Sequence, residues 1–141
     1  HAEAAACYEM VAGKHDEAVR HWNEHLRLLL LGRRRQEAVE LFGRLAGDRF
    51  TPEQFDPAVL MRLGAACEGT GRDELALSAL MAVVEASPES EQAPDAALRA
   101  AALLGRHDDA ARSREMLQEI ETRWPDSEAA LAATTRLREL S

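Results

Sequence analysis

The sequence is poor in the residues that favour β-sheets. Isoleucine occurs once, valine six times, and Phe, Trp and Tyr together make up 4% of the chain. Strands favour β-branched and aromatic side chains, whereas small and unbranched side chains lose little conformational freedom in a helix. The abundant residues are of the second kind, with 27 alanines and 19 leucines. The composition therefore predicts an all-α fold.

Acidic residues outnumber basic residues, and long apolar runs are also scarce. The net charge is -8 and Lys14 is the single lysine. Because a surface that follows nucleic-acid phosphates needs a basic face, we expect no nucleic-acid partner. A bilayer span needs about 20 apolar residues in succession, and the densest apolar patch here is Leu28–Leu31. We expect no direct membrane insertion by this segment, and we favour the cytoplasm over the periplasm as its location.

Cysteine is too rare to organise the fold. Cys7 and Cys67 are too few and too far apart to indicate a disulfide framework or a zinc site, so we expect two small buried side chains. The chain also has no glycine-rich phosphate loop, dinucleotide fingerprint or Ser–His–Asp arrangement. The sequence predicts no catalytic residues, no cofactor and no metal, and we expect that the protein is not an enzyme.

A short phrase that begins with glycine and a basic residue recurs along the chain. Copies lie at 13–18, 71–76 and 105–110, with a looser copy at 32–38. The copies that begin at Gly71 and Gly105 are 34 residues apart. A fixed period of this size is typical of stacked helix pairs, and such arrays usually bind other molecules.

Apolar residues at three- and four-residue spacing predict about eight helices. Ala110 is expected on the inner face of the seventh helix, which is predicted to be long. A short helical turn is expected at 51–54, where Pro52 lies in the first turn. Asp56 is expected to cap the helix that follows. The predicted helices span roughly 2–12, 15–31, 34–46, 57–68, 72–86, the stretch ending at 104, 107–123 and 127–140.

These features resemble the tetratricopeptide repeat family, in a degenerate form similar to bacterial scaffold and envelope proteins. In the repeat unit that matches the family best, about 57–90, Gly64 and Ala76 take the positions at which the family places small residues. Small residues there let two helices approach closely. The resemblance implies a right-handed superhelix of antiparallel helix pairs in a single domain, 1–141. Its approximate units are 2–31, an irregular stretch 32–56, 57–90, 91–125 and a C-terminal helix 127–140. We expect the chain to be part of a longer protein.

The resemblance also implies a binding surface, because the first helices of successive repeats line a concave face in this family. Arg62 and Arg99 are each expected to contact a carboxylate there, and Met61 with its alanine neighbours would suit an apolar helix or strand. The chain lacks the Asn and Lys with which the family's chaperone-binding members hold a C-terminal carboxylate. The partner-binding residues expected on this basis are Ala58, Met61, Arg62, Ala65, Glu68, Asp95 and Arg99.

One local string offers a different chemistry. His21, Glu24 and His25 stand in the order found in inverted zinc peptidases, where two histidines hold zinc and the glutamate activates water. The alternative is that Ala18, Trp22 and neighbouring leucines make this helix a packing element, and we prefer that interpretation.

The function we expect is a non-catalytic module that binds a peptide or a partner helix on its concave face. Self-association through the C-terminal helix is a related expectation. An alternative is an accessory domain of a larger bacterial membrane or envelope protein, such as a rhomboid-type protease. A zinc hydrolase that uses His21, Glu24 and His25 is the remote alternative.

Overall fold

The computed structural model describes residues 2–46 and 52–140, with side chains at 17–45 and 52–140. These ranges contain seven α-helices, one short 3-10 turn and no strand. The all-α prediction is therefore confirmed. The helices are α1 (Ala2–Leu31), α2 (Arg35–Ala46), α3 (Pro57–Gly69), α4 (Asp73–Ala86), α5 (Ala93–Arg106), α6 (Ala110–Arg123) and α7 (Glu128–Leu140), with the 3-10 turn at Pro52–Gln54.

The first two predicted helices are one helix. The prediction placed a break near Gly13, but α1 runs without interruption from Ala2 to Leu31. A single glycine inside a helix costs only about 1 kcal/mol, so it weakens a helix without ending it. The second half of α1 packs against α2 through the fully buried side chains of Leu26, Ala38 and Phe42. The first helix pair therefore consists of α1 and α2.

The remaining helices follow one after another in antiparallel pairs. The pairs are α3 with α4 and α5 with α6, and α7 packs against α6. Two pairs of first helices also meet, because α1 contacts α3 and α5 contacts α7. This arrangement leaves one side of α3, α5 and α7 facing away from the second helices. That side is where the resemblance places the binding surface.

The hairpin α3–α4 shows why this sequence folds into close pairs. Gly64 is buried in the middle of α3, and a Cβ atom at this position would lie 2.9 Å from Leu80 Cδ2 of α4. Only glycine allows the two helices to approach this closely without displacing Leu80. Gly71 ends the turn at φ +78°, a left-handed conformation that glycine adopts without a steric penalty. The predicted close approach at Gly64 is confirmed, with Leu80 as the facing side chain.

The N-cap residue of α3, Asp56, is held by a side chain of α1. Asp56 was predicted to cap α3 with its own side chain, but it makes no such hydrogen bond. Instead, Asn23 of α1 binds Asp56 twice: its amide Nδ2 donates to Asp56 Oδ2 at 2.9 Å, and its Oδ1 accepts from the Asp56 backbone N–H at 3.0 Å. The carboxylate is therefore used to join α1 to α3.

The structural repeat is longer than the period of the recurring phrase. Asp73 and Ala110, the first residues of α4 and α6, are 37 residues apart. Gly71 and Asp108 are also 37 residues apart, and both have positive φ. Gly105 lies inside α5, so the phrase at 105–110 is displaced by three residues from the structural register. The expectation that 34 residues separate equivalent positions of these two hairpins is wrong.

The displaced register explains two errors in α6. Ala110 was predicted to face inward, but it is exposed. Ser113 takes the inner position instead, where its hydroxyl donates to the Ala101 carbonyl at 2.7 Å. The predicted start of this helix at 107 is also wrong, because α6 begins three residues later, at Ala110.

The buried contacts of α7 come from alanines, while Leu137 packs against the core and is partly buried. Ala129, Ala130 and Ala133 are buried against α5 and α6, whereas Leu131 is 71% exposed and Leu140 is 48% exposed. Self-association through this helix remains a prediction. Among the helices in the described ranges, none combines the length and the apolar character that crossing a membrane requires.

Candidate partner-binding face

The predicted binding residues of α3 share one side of that helix. Ala58, Arg62 and Ala65 are exposed, and Met61 and Glu68 are half-buried. The buried residues of the same helix, Leu60, Leu63 and Cys67 among them, face α4 and the core. The sequence therefore separates a packing side of α3 from an accessible side. We name the accessible side of α3, α5 and α7 the first-helix face.

A basic cleft lies on this face between α1 and α3. Its volume is about 270 Å³. Arg62 and Ala65 of α3 form one wall, and Leu30 of α1 and Arg35 of α2 lie opposite. The described lining residues include two guanidinium groups and no carboxylate. This cleft therefore suits a ligand in which an acidic group lies next to an apolar side chain.

An acidic cleft lies on the same face between α5 and α7. Its volume is about 510 Å³. Leu98 of α5 and Ala129 and Ala132 of α7 supply apolar surface. Three carboxylates complete the lining, those of Glu91, Asp95 and Glu128. This cleft therefore suits a basic group with an apolar neighbour.

The structure does not place the two predicted arginines in one site. Arg62 lines the basic cleft, whereas Arg99 forms an ion pair with Asp95 one turn earlier in α5, with 3.4 Å between Arg99 Nε and Asp95 Oδ2. Glu68 lies near Arg106 of α5, at 3.9 Å between Glu68 Oε2 and Arg106 Nη2. The role of all seven predicted residues in binding remains a proposal.

Sequence reasoning missed several cleft residues. Leu98 is half-buried and occupies the position equivalent to Met61, 37 residues later. The spacing of Pro57 and Pro94 was the signal that would have aligned these two side chains. Glu91 and Glu128 also share this spacing, each lying three residues after Pro88 or Pro125. Arg35 had no such signal, because it joins the basic cleft only through the packing of neighbouring helices.

The zinc-peptidase string has a different geometry from a metal site. His21 and His25 stack with 6.3 Å between their ring centroids, and Trp22 packs edge-on against His25. Glu24 accepts a hydrogen bond from Arg27 Nε at 2.9 Å, and this bond holds the pKa of Glu24 below its usual value. Its carboxylate is thus held by an arginine. Within the described side chains, no group of three His, Cys, Asp or Glu residues is arranged to hold a metal ion.

Cys67 is a buried, unpaired thiol. Burial raises its pKa to about 11, which keeps the thiol protonated and unreactive near neutral pH. The prediction of a small buried cysteine is confirmed for Cys67. Cys7 lies outside the residues whose side chains are described.

The arrangement described so far defines a class of protein, the α-helical repeat. Solved structures identify the type of repeat. The type III secretion chaperone SycD of Yersinia enterocolitica, in complex with a peptide of the translocator YopD, matches with a TM-score of 0.56 and 15% identity, over 87% of this chain and 88% of SycD. The first TPR of Spaghetti (RPAP3) bound to an HSP90 peptide matches with a TM-score of 0.57 and 14% identity, over 88% of this chain and 90% of that one.

A third structure agrees with these two. PcrH in complex with the chaperone-binding region of PopB matches with a TM-score of 0.55 and 14% identity, over 89% of this chain and 95% of that chain. No protein-family model matches the sequence, and comparison with curated proteins gave no match. Because the identities are low, the likeness establishes the fold alone. The chain has a tetratricopeptide-repeat-like fold.

Proposed function

We propose that this protein is a non-catalytic interaction module that holds a peptide or a partner helix on its first-helix face. The observation that carries the proposal is the pair of equivalent apolar side chains Met61 and Leu98, which are only partly buried on α3 and α5. Exposed small residues, Ala58 and Ala65, lie beside Met61. Small neighbours leave room for the side chains of a ligand, so the face has both apolar contact area and space.

The rigidity of the scaffold supports the same proposal. Closely packed hairpins hold Met61 and Leu98 in fixed positions, so little conformational entropy is lost when a ligand docks. The three structural neighbours described above were each solved with a peptide or a binding region of another protein. Their fold is therefore compatible with peptide binding, and we extend that use to this chain as part of the proposal.

Selection from a random peptide display library tests the proposal. The wild-type protein should enrich peptides that contain apolar residues. The double variant Met61→Glu with Leu98→Glu should bind the enriched peptides at least about tenfold more weakly, because it places charge in the apolar contact. Fluorescence anisotropy with synthetic peptides measures the change.

Leu77→Glu with Met81→Glu is the matched control, since it puts the same charge on two partly buried apolar side chains of α4, a second helix, and neither residue lines the basic or the acidic cleft. This variant should bind the peptides as the wild type does. Failure of the wild type to enrich any peptide, or equal binding by a folded double variant, would contradict the proposed function. Circular dichroism verifies that each variant is folded.

A further inference from the structure

The first-helix face carries opposite charge at its two ends. The basic cleft between α1 and α3 contains Arg35 and Arg62, and the acidic cleft between α5 and α7 contains Glu91, Asp95 and Glu128. Each cleft also has apolar lining. From this contrast we infer that the ligand is a dipolar peptide segment, with an acidic side chain in the basic cleft, a basic side chain in the acidic cleft and apolar residues between them. The inference rests on the proposed function and specifies its ligand.

The charged groups that define the two clefts are available to a ligand. Within the described part of the chain, no carboxylate lies within 4.0 Å of the guanidinium groups of Arg35 and Arg62. Glu91 and Glu128 are exposed, and likewise have no described cation within that distance. Asp95 differs, because Arg99 already pairs with it. Arg35, Arg62, Glu91 and Glu128 are therefore the residues that would select the ligand's charges.

The separation of the clefts sets the length of the segment. Two helices, α3 and α5, lie between the centres of the two clefts. The axes of neighbouring helices are roughly 8–10 Å apart, so the two cleft centres are on the order of 20 Å apart. An extended chain advances about 3.3 Å per residue. About six extended residues would therefore join the acidic and the basic side chain. Complementary charge at two fixed points also suppresses partners with the wrong charge pattern.

Charge-reversal variants test the inference with the same random peptide library. The wild type should enrich peptides that carry both an acidic and a basic residue. Arg35→Glu with Arg62→Glu makes both clefts acidic, so the enriched peptides should become basic. Glu91→Lys with Glu128→Lys gives the opposite change, and its peptides should become acidic. The best wild-type peptide should lose about tenfold or more in affinity for each double variant, and the loss should shrink at high salt.

Arg20→Glu with Arg44→Glu is the control for net charge, because it makes the same change at exposed residues outside both clefts. This variant should keep the wild-type peptide preference. Enrichment of peptides with the same charges by the wild type and by both cleft variants would overturn the inference and leave the proposed function standing. No enrichment by the wild type would overturn both.

Discussion

The hairpins α3–α4 and α5–α6 align at a spacing of 37 residues but are packed by different residues. In α3 the buried side chains include Leu60, Leu63 and Cys67, with Gly64 as the point of closest approach. The equivalent positions of α5, 37 residues later, hold Ala97, Ala100, Leu104 and Ala101, and all four are buried. The first hairpin combines large side chains with one glycine, whereas the second distributes small side chains along the contact. Two solutions to close helix packing therefore stand side by side in one chain.

The second hairpin also uses polar contacts that the first does not need. Ser113 takes the position of Ala76 and donates a hydrogen bond to the Ala101 carbonyl across the pair. The indole N–H of Trp124, at the end of α6, donates to the Pro88 carbonyl at 2.9 Å and so connects the loops that follow the two hairpins. A buried hydrogen bond contributes roughly 1 kcal/mol. These bonds partly offset the smaller apolar area that alanine buries.

The largest effect is expected from exchanging the residues at equivalent core positions. Leu63→Ala should lower the free energy of unfolding by about 3 kcal/mol, because it removes a fully buried side chain and leaves a cavity. Ala100→Leu should lower it by about 2 kcal/mol, because Ala100 is fully buried between close helices and the larger side chain overpacks the site. Urea unfolding monitored by circular dichroism measures both.

Leu63→Met is the conservative control for this exchange and should cost less than about 1.5 kcal/mol. A neutral Ala100→Leu would contradict the comparison, because it would mean that the second hairpin has room for the large side chains of the first.

A smaller effect, which depends on pH, is expected from Cys67, since its counterpart Leu104 cannot ionise. Burial raises the pKa of Cys67 from 9.0 to about 11. Above pH 9 the unfolded chain therefore loses this proton more readily than the folded chain, and stability falls as the pH rises. The loss attributable to Cys67 should be on the order of 2 kcal/mol by pH 11.

Cys67→Ala separates this effect from other titrations. The variant should be less stable than the wild type near neutral pH, and the difference should narrow between pH 9 and pH 11. Urea unfolding at a series of pH values gives the comparison. A difference that does not change with pH would show that Cys67 is already accessible to water in the folded protein.

The sequence predicted the positions of the helices better than it predicted the spacing between equivalent residues of the two hairpins. The phrase around Gly105 resembles the turn at Gly71, but helices are positioned by the buried faces that they present, and these faces align at 37 residues. The prolines at 57 and 94, and those at 88 and 125, carry the correct spacing. Arg62 and Arg99, which the family resemblance implied, are also 37 residues apart and therefore follow the same register.

The rest of the face could not be read from local patterns. The break predicted at Gly13 failed because one glycine costs a helix only about 1 kcal/mol and does not end it. Leu131 is exposed because the side of α7 that packs against the core carries Ala129, Ala130 and Ala133, and apolar periodicity alone does not show which side packs. The clefts depend on how α1 meets α3 and how α5 meets α7. Glu128 reaches the acidic cleft only through such a meeting of distant segments.

The smallest effects are expected at the two hairpin turns, where one position is glycine and the other is not. Gly71 and Asp108 have φ +78° and +60°. Gly71→Ala should lower the free energy of unfolding by about 1 kcal/mol, because a Cβ atom is strained in the left-handed region. Asp108→Gly should raise it by less than about 0.5 kcal/mol, because relief of that strain is offset by the greater freedom of glycine in the unfolded chain.

The expected changes in stability for Gly71→Ala and Asp108→Gly have opposite signs. Together they test whether these two residues occupy equivalent positions in the two hairpins. No neighbouring atom lies within 4 Å of a Cβ atom built at Gly71, so loss of stability in Gly71→Ala would come from the backbone and not from a clash. Gly69→Ala is the control, because Gly69 also has open space around it but lies in α3 with no positive φ. Alanine should therefore be tolerated or favoured at 69. Destabilisation by Asp108→Gly would mean that Asp108 contributes more through its side chain than its backbone strain removes, and the two turns would then not be equivalent.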